Sequence, residues 1–256
     1  MKITSYAPGT PCWIDLGTPD VAATTAFYTA LFGWTANEGP PEAGGYIIYN
    51  LGDQPVAGAG PLMSEGQPTA WTTYFATDDA AATAAKVEAA GGKTLMEPMQ
   101  VMDVGQMGLF MDSGNAVFGV WQKGNFFGAG VANEPGSLTW NELMSRDVEA
   151  SKTFYEQALG LGGRASALSG DTPYTEFLVG DRSVAGMMNI NGPEWPPDLP
   201  AHWMIYFAVA DVDATAARLT ELGGKVSVPP SDIPIGRFSV VSDPHGAFFS
   251  IIKLNP

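Results

Sequence analysis

The sequence predicts an α+β fold in which four βαβββ modules form two internally duplicated domains. The first observation is a repeat: Trp13-Ile14-Asp15-Leu16 recurs as Trp140-Asn141-Glu142-Leu143, and the same offset of 127 residues relates Tyr28 to Tyr155. The second is the order of patterns, because β-rich runs, turn residues and one helical stretch follow each other as β-α-β-β-β twice in each copy. A chain of 256 residues, 45% of them hydrophobic, is long enough for two domains with their own cores.

Strand alternation in the first module separates two faces. In the first strand, Ile14 and Leu16 point one way and Trp13 and Asp15 the other. We expect the following helix, through residues such as Phe27, to cover the side of Ile14 and Leu16. The other side is then an open face with one large aromatic and one carboxylate, and the repeat places Trp140 and Glu142 in the same way.

The remaining segments also occur in pairs. A β-rich run and a Gly-Asp turn begin at Tyr46 and at Tyr174, and an Ala-rich helix ends at Gly91-Gly92 and at Gly223-Gly224. Since no phosphate-loop fingerprint accompanies these Gly pairs, they indicate helix ends. The predicted modules are 11–63, 69–122, 138–190 and 202–254. The predicted domains are 8–123 and 137–256, with a linker at 124–136. Either adjacent modules, or the first with the fourth and the second with the third, share a binding surface.

Charge and cysteine content limit the function classes. With 27 acidic and 12 basic residues, the net charge of −15 argues against a nucleic-acid partner. The start of the chain carries no apolar run typical of a signal peptide or membrane span, so a cytoplasmic protein is expected. The single cysteine, Cys12, has no partner for a disulfide and no neighbouring histidine, which indicates packing and not nucleophilic chemistry.

The motifs resemble those of the vicinal oxygen chelate superfamily, which includes glyoxalase I, bleomycin resistance proteins and extradiol dioxygenases. The resemblance rests on Trp-x-Asp/Glu-Leu, on Phe-Tyr and Leu-x-Gly after it, and on the Asp-Pro-x-Gly turn at Asp243. More narrowly, the chain is similar to a two-domain actinobacterial subgroup with a mycobacterial culture-filtrate antigen and anthracycline-pathway accessory proteins. The resemblance implies glyoxalase-like, cup-shaped sheets whose concave faces bind a ligand, and the open faces are then the cups.

Metal-dependent members of this superfamily place His, Gln or Glu at three positions of a module pair. Here those positions fall on Trp13, Thr72 and Gly119 in one half and on Trp140, Met204 and Ser250 in the other. None offers the imidazole, carboxylate or thiolate that zinc, iron or manganese prefers. The sequence therefore predicts no metal and no cofactor. A displaced set of Asp15, Glu142 and His202 has no recognisable ligand spacing.

Several residues are candidates for contact with a ligand. Asp15 and Glu142 are the candidates for an acid or base, and the alternative is that they only brace the module interface. Trp71 and Trp203 are expected in the core, and His245 in a surface turn. Trp195 belongs to a Pro-rich insertion and either covers a cup or packs on its own domain. The ligand-binding candidates are Trp13, Asp15, Tyr74, Trp121, Trp140, Glu142, His202, Met204, Tyr206 and Ser250.

The favoured function is metal-independent binding of a small aromatic or hydrophobic metabolite or antibiotic, for resistance, sequestration or biosynthesis. The alternative is a metal-independent enzyme acting on such a molecule, with Asp15 or Glu142 as acid or base. A regulatory or immune-recognised protein, whose surface matters instead of its cups, is a third class. Because the duplication supplies the module pairing within one chain, both a monomer and a homodimer fit the sequence.

Overall fold

A computed structural model describes residues 1–166 and 173–255. The described residues form two eight-stranded sheets with the same strand order. In the first half the elements are β1 Pro11–Thr18, α1 Val21–Phe32, β2 Thr35–Glu38, β3 Ile47–Leu51, β4 Gln54–Pro61, β5 Ala70–Thr77, α2 Ala80–Ala89, β6 Lys93–Val101, β7 Gly105–Met111 and β8 Val117–Lys123. In the second half they are β9 Leu138–Ser145, α3 Val148–Leu159, β10 Gly162–Ala165, β11 Tyr174–Val179, β12 Arg182–Asn189, β13 His202–Ala208, α4 Val212–Glu221, β14 Lys225–Ile233, β15 Gly236–Ser242 and β16 Phe248–Leu254.

An aspartate begins each of the four helices. The side chains of Asp20, Asp79, Asp147 and Asp211 accept a hydrogen bond from the backbone N–H three residues later. This contact satisfies one of the free N–H groups at the helix start. Helices α1 and α3 end at Gly33 and Gly160, whose left-handed φ of 70° and 71° suits glycine. The repeated Asp and Gly of the sequence motif therefore mark helix ends.

Adjacent modules share a sheet. Strand β1 pairs with β4 of its own module in parallel and with β5 of the second module antiparallel. Strand β9 pairs in the same way with β12 and β13. The first and second modules thus form one sheet, in the order β2-β3-β4-β1-β5-β8-β7-β6, and the third and fourth form the other. The predicted α+β fold with four duplicated modules is confirmed; the domain boundaries at 8–123 and 137–256 stay predictions.

The helix-covered faces pack across the two halves. One core cluster joins Ile14, Leu16 and Tyr28 of the first module to residues of the fourth, such as Phe207 and Phe249. A second cluster joins the second module to the third and contains Trp203, while Trp71 lies in the first cluster. Both tryptophans are therefore core residues, as the alternation predicts. Burial of this apolar area is the main source of stability in such an arrangement.

Hydrogen bonds cross between the halves inside these cores. The hydroxyl of Tyr28 donates to Asp243 Oδ2 over 3.2 Å and accepts from Trp71 Nε1 over 3.1 Å. In the other core, Tyr155 donates to Asp112 over 2.9 Å and accepts from Trp203 over 2.8 Å. Both aspartates lie in the turns before the last strands, where backbone N–H groups also bind them. Each half thus donates a tyrosine to a turn of the other.

No helix among the described residues is long and apolar enough to cross a membrane.

Candidate functional site

The opposite faces of the two sheets carry the sequence-predicted site. We name the first cup by Trp13, Asp15, Tyr46, Tyr74 and Trp121, and the second cup by Trp140, Glu142, Tyr174, Tyr206 and Ile252. The buried hydrophobic members of each group belong to a cluster that contains no helix residue. Ile14 and Leu16 lie in a different cluster, so the alternation of β1 separates the two faces as the sequence predicts.

A chain of hydrogen bonds holds the carboxylate of the first cup. Trp13 Nε1 donates to the hydroxyl of Tyr46 over 2.9 Å, and that hydroxyl donates to Asp15 Oδ2 over 3.2 Å. The hydroxyl of Tyr74 also hydrogen-bonds Asp15. The carboxylate is half-buried, and its two tyrosine partners compensate for the loss of water.

Glycine makes this contact possible. Gly58 on β4 is the register partner of Asp15, and a Cβ there would lie 2.0 Å from the hydroxyl of Tyr46. The missing side chain therefore leaves room for the Tyr46 hydroxyl beside the carboxylate. Gly186 is the partner of Glu142 in the second sheet, and a Cβ there would lie 1.8 Å from the Tyr174 hydroxyl.

The second cup repeats the chain with glutamate. Trp140 Nε1 donates to the Tyr174 hydroxyl over 2.8 Å, and Tyr206 donates to Glu142 Oε2 over 2.7 Å. The Tyr174 hydroxyl also hydrogen-bonds Glu142. Both cups therefore contain a Trp–Tyr–carboxylate–Tyr chain, built from the same positions of the repeat.

Burial raises the pKa of both carboxyl groups. Desolvation raises the pKa of Asp15 from 3.8 to about 7, although hydrogen bonds from Tyr74 and Tyr46 act in the opposite direction. Desolvation likewise raises the pKa of Glu142 against its bonds from Tyr206 and Tyr174. A carboxyl group with a pKa near neutrality is able to accept and to return a proton.

The residues at the superfamily's metal positions do not fit a metal ion in the first cup. The indole nitrogen of Trp13 is a donor already bound to Tyr46, and Thr72 carries a neutral hydroxyl. At the third position, a Cβ on Gly119 would lie 2.3 Å from the ring of Tyr74, so the tyrosine ring occupies the space a ligand side chain would need.

The second cup lacks a fitting donor set as well. Trp140 again donates to a tyrosine, Met204 offers a thioether, and Ser250 is fully buried opposite Tyr206. Within residues 1–166 and 173–255, no three His, Cys, Asp or Glu side chains form a group that could hold a metal ion. We therefore derive no chemistry through a metal.

The segment predicted as a linker packs against the first cup. Phe126 packs edge-on against Trp13 at 4.9 Å and against Trp121 at 6.0 Å, and its carbonyl accepts from Trp121 Nε1. Tyr6 of the N-terminal segment donates to the carbonyl of Ala129 over 2.9 Å. Trp13 is only 4% exposed as a result.

The Pro-rich insertion packs against the second cup. Trp195 and Leu199 pack, half-buried, against the cluster that contains Met144 and Met204. Arg146 holds this segment, since its guanidinium donates to the carbonyls of Ile190, Pro196 and Leu199. Trp195 thus lies over the second cup.

Two cavities lie beside the cups and not over the carboxylates. One of about 220 Å³ is lined by residues 1–6 and Arg182. Another of about 10 Å³ lies at the first cup, beside Tyr6, Trp121 and Phe127.

The other candidates lie in different environments. His202 is half-buried at the edge of the second cup, where its Nδ1 contacts the carbonyl of Pro200 over 2.8 Å and burial lowers its pKa. His245 lies in the turn after Asp243, as predicted. Cys12 is buried, and desolvation raises the pKa of its thiol, which fits the packing role.

Sequence reasoning missed four features of the site. Tyr46 and Tyr174, which bind the carboxylates, were recognised only as starts of β-rich runs. Phe126 belonged to a segment interpreted as a linker, and Arg146 belonged to no motif that pointed to the site. The available signal was the glycine directly across from each carboxylate, because a strand glycine indicates close approach by another group.

The fold and the site geometry define a duplicated α+β protein with two hydrogen-bonded acids on its sheets. The sequence matches the Glyoxalase/Bleomycin resistance protein/Dioxygenase superfamily over residues 11–118 and 137–251, and the chain belongs to that superfamily. It is 43% identical to the anthracycline biosynthesis protein DnrV of Streptomyces peucetius, over 98% of this chain and 96% of that one. It is 40% identical to CFP32 of Mycobacterium tuberculosis, over 100% and 98% of the two chains.

Solved structures share the fold at low sequence identity. The 2,3-dioxygenase LapB from Pseudomonas sp. KL28 matches with a TM-score of 0.67 and 12% identity, over 99% of this chain and 94% of that one. At such identity the likeness shows the fold alone.

Proposed function

We propose that this protein binds a small, planar aromatic molecule in a cup, without a metal ion, and that a hydrogen-bonded carboxyl group orients it. The observation that carries the proposal is the Trp–Tyr–carboxylate–Tyr chain present in both cups. Such a chain places a carboxyl group of raised pKa among aromatic rings, which is the composition of sites for flat ligands with a few polar atoms.

The relatives support the ligand class. The similarity to DnrV extends over nearly the whole chain, and that protein's name places it in anthracycline biosynthesis. Anthracyclines are flat, hydroxylated quinones. A neutral Asp15 is able to donate to a quinone oxygen, and an ionised one is able to accept from a phenol.

Thermal unfolding in the presence of a dihydroxyanthraquinone tests the proposal. Binding to the folded state alone raises the free energy of unfolding by about 2.7 kcal/mol when the ligand reaches 100 times its Kd. The melting temperature should therefore rise with ligand concentration, and less so in Asp15→Asn. An unchanged melting temperature in the wild type up to the solubility limit of the compound contradicts the proposal.

The second candidate is an enzyme acting on such a molecule, with Asp15 as the acid or base. The pKa of about 7 for this half-buried carboxyl favours it, because general acid–base catalysis is most effective near the working pH. Chromatography of the quinone after incubation distinguishes the two. Turnover that Asp15→Asn abolishes while the protein stays folded supports the enzyme; an unaltered compound supports binding alone.

A further inference from the structure

The two acids differ in their access to solvent, although they occupy the same position of the repeat. Asp15 is half-buried, whereas Glu142 is only 4% exposed. The residues directly across from them follow the same trend, since Thr72 is half-buried and Met204 is 6% exposed. Asp15 and its cross-strand neighbour Thr72 therefore expose more surface than Glu142 and Met204 do.

The insertion at residues 191–200 packs on the second cup and has no equivalent of the same length in the first half. Its Trp195 and Leu199 pack against the cluster that contains Met204, the residue directly across from Glu142. The corresponding segment of the first half, 64–68, is shorter, and apart from the half-buried Gln67 its residues are exposed. No bulky side chain of that segment belongs to the cluster of the first cup.

Arg146 fixes the covering segment in place. Its Nη2 donates to Pro196 over 2.6 Å and to Leu199 over 2.9 Å, and its own carbonyl accepts from Asn191 Nδ2 over 2.6 Å. Pro19 occupies the equivalent position in the first half and has no side-chain donor. The anchor and the cover are thus both specific to the second half.

We infer that the first cup, at Asp15 and Thr72, is the ligand site of the resting protein, and that residues 191–200, anchored by Arg146, close the second cup. This inference rests on the proposed function. It assigns the planar, hydroxylated aromatic ligand to one of two duplicated sites. It also makes the second cup a latent site of the same chemistry, which becomes accessible when residues 191–200 detach from it.

Calorimetric titration with a dihydroxyanthraquinone counts the sites. The wild type should bind one molecule per chain. Thr72→Trp places an indole over Asp15 and should weaken this binding about tenfold or more, which corresponds to about 1.4 kcal/mol. Arg146→Ala should bind two molecules per chain, because the released segment exposes Glu142.

Two further variants control the interpretation. Arg218→Ala removes an exposed arginine of the same half that pairs with Glu221, and should still bind one molecule. Met204→Trp in the Arg146→Ala background should fill the second cup and restore a count of one. If this double variant does not fold, Thr72→Trp in the same background serves instead, since it should leave only the second site.

The outcomes separate the two proposals. Two molecules bound to the wild type, or a single site that Thr72→Trp does not affect, overturns the inference and leaves the proposed function intact. A count of one in Arg146→Ala also contradicts it. No binding to the wild type overturns both.

Discussion

The hydroxyl of Tyr155 donates to Asp112 Oδ2 over 2.9 Å and joins a helix of the third module to a turn of the second. Tyr28 and Asp243 repeat the contact between the first and fourth modules. Adjacent modules share a sheet, but these buried pairs and the surrounding cores connect the two sheets. The same arrangement in both halves therefore has two roles. The residues on the helix-covered face of each sheet hold the halves together, and the opposite face carries the acids.

Tyr155→Phe should lower the free energy of unfolding by about 1–3 kcal/mol, because Asp112 loses a donor and the indole nitrogen of Trp203 loses its acceptor inside the core. Chemical denaturation measures this. Tyr49→Phe is the matched control, since the Tyr49 hydroxyl contacts Thr25 within one module. An equal or larger loss in the control would contradict a special role for the cross-half contact.

Gly58→Ala should displace the hydroxyl of Tyr46 from Asp15, because the new Cβ would lie 2.0 Å from it. Overpacking of this kind costs about 1–3 kcal/mol. Gly162→Ala is the control, as its Cβ would find its nearest neighbour at 3.6 Å. Denaturation curves that coincide for Gly58→Ala and the wild type would show that the close approach is not needed.

The stability of the protein should fall as the pH rises from about 4 to about 7. Burial raises the pKa of Asp15 from 3.8 to about 7, so the folded state binds more protons than the unfolded state within this window. Asp15→Asn should flatten the decline. Glu142, Asp112 and Asp243, whose pKa values burial also raises, should leave a residual slope. His202, whose pKa burial lowers, acts in the opposite direction and offsets part of the decline.

Denaturation at a series of pH values checks this expectation. A wild-type stability that rises across the window would mean that Asp15 ionises readily in the folded state. A profile of Asp15→Asn parallel to that of the wild type would assign the decline to the other acids.

Most of the fold was predictable from the sequence because each element occurs in both halves, so its pattern could be recognised twice. The alternation of Ile14 and Leu16 with Trp13 and Asp15 was enough to separate the core face from the cup face. Which modules share a sheet was not predictable, since strand pairing depends on contacts distant in sequence. The structure resolves it through the antiparallel pairing of β1 with β5.

The site was predictable only in part. Strand parity found Asp15 and Glu142 together with Tyr74 and Tyr206, because these lie on first strands that pair directly. It missed Tyr46 and Tyr174, whose hydroxyls reach the acids across a neighbouring strand. The contact of Phe126 with the first cup was also missed, and for Trp195 the sequence left two positions open, since the positions of both residues depend on how irregular segments fold back.

The ligand-binding candidates predicted from the sequence differ in how deeply they are buried. Trp13, Tyr74 and Trp121 are almost fully buried and form the hydrophobic cluster of the first cup. Asp15 and its cross-strand neighbour Thr72 are half-buried. Their role in binding stays a prediction, and the variants described above test it at the exposed positions.

The central claim, that the first cup binds a planar aromatic molecule without a metal ion, is tested most directly by titrating metal-stripped protein. After dialysis against EDTA, calorimetry with a dihydroxyanthraquinone should give saturable binding with the same Kd as before dialysis, and Thr72→Trp should lose it. Binding that disappears with EDTA and returns on addition of Mn²⁺ or Zn²⁺ would contradict the claim.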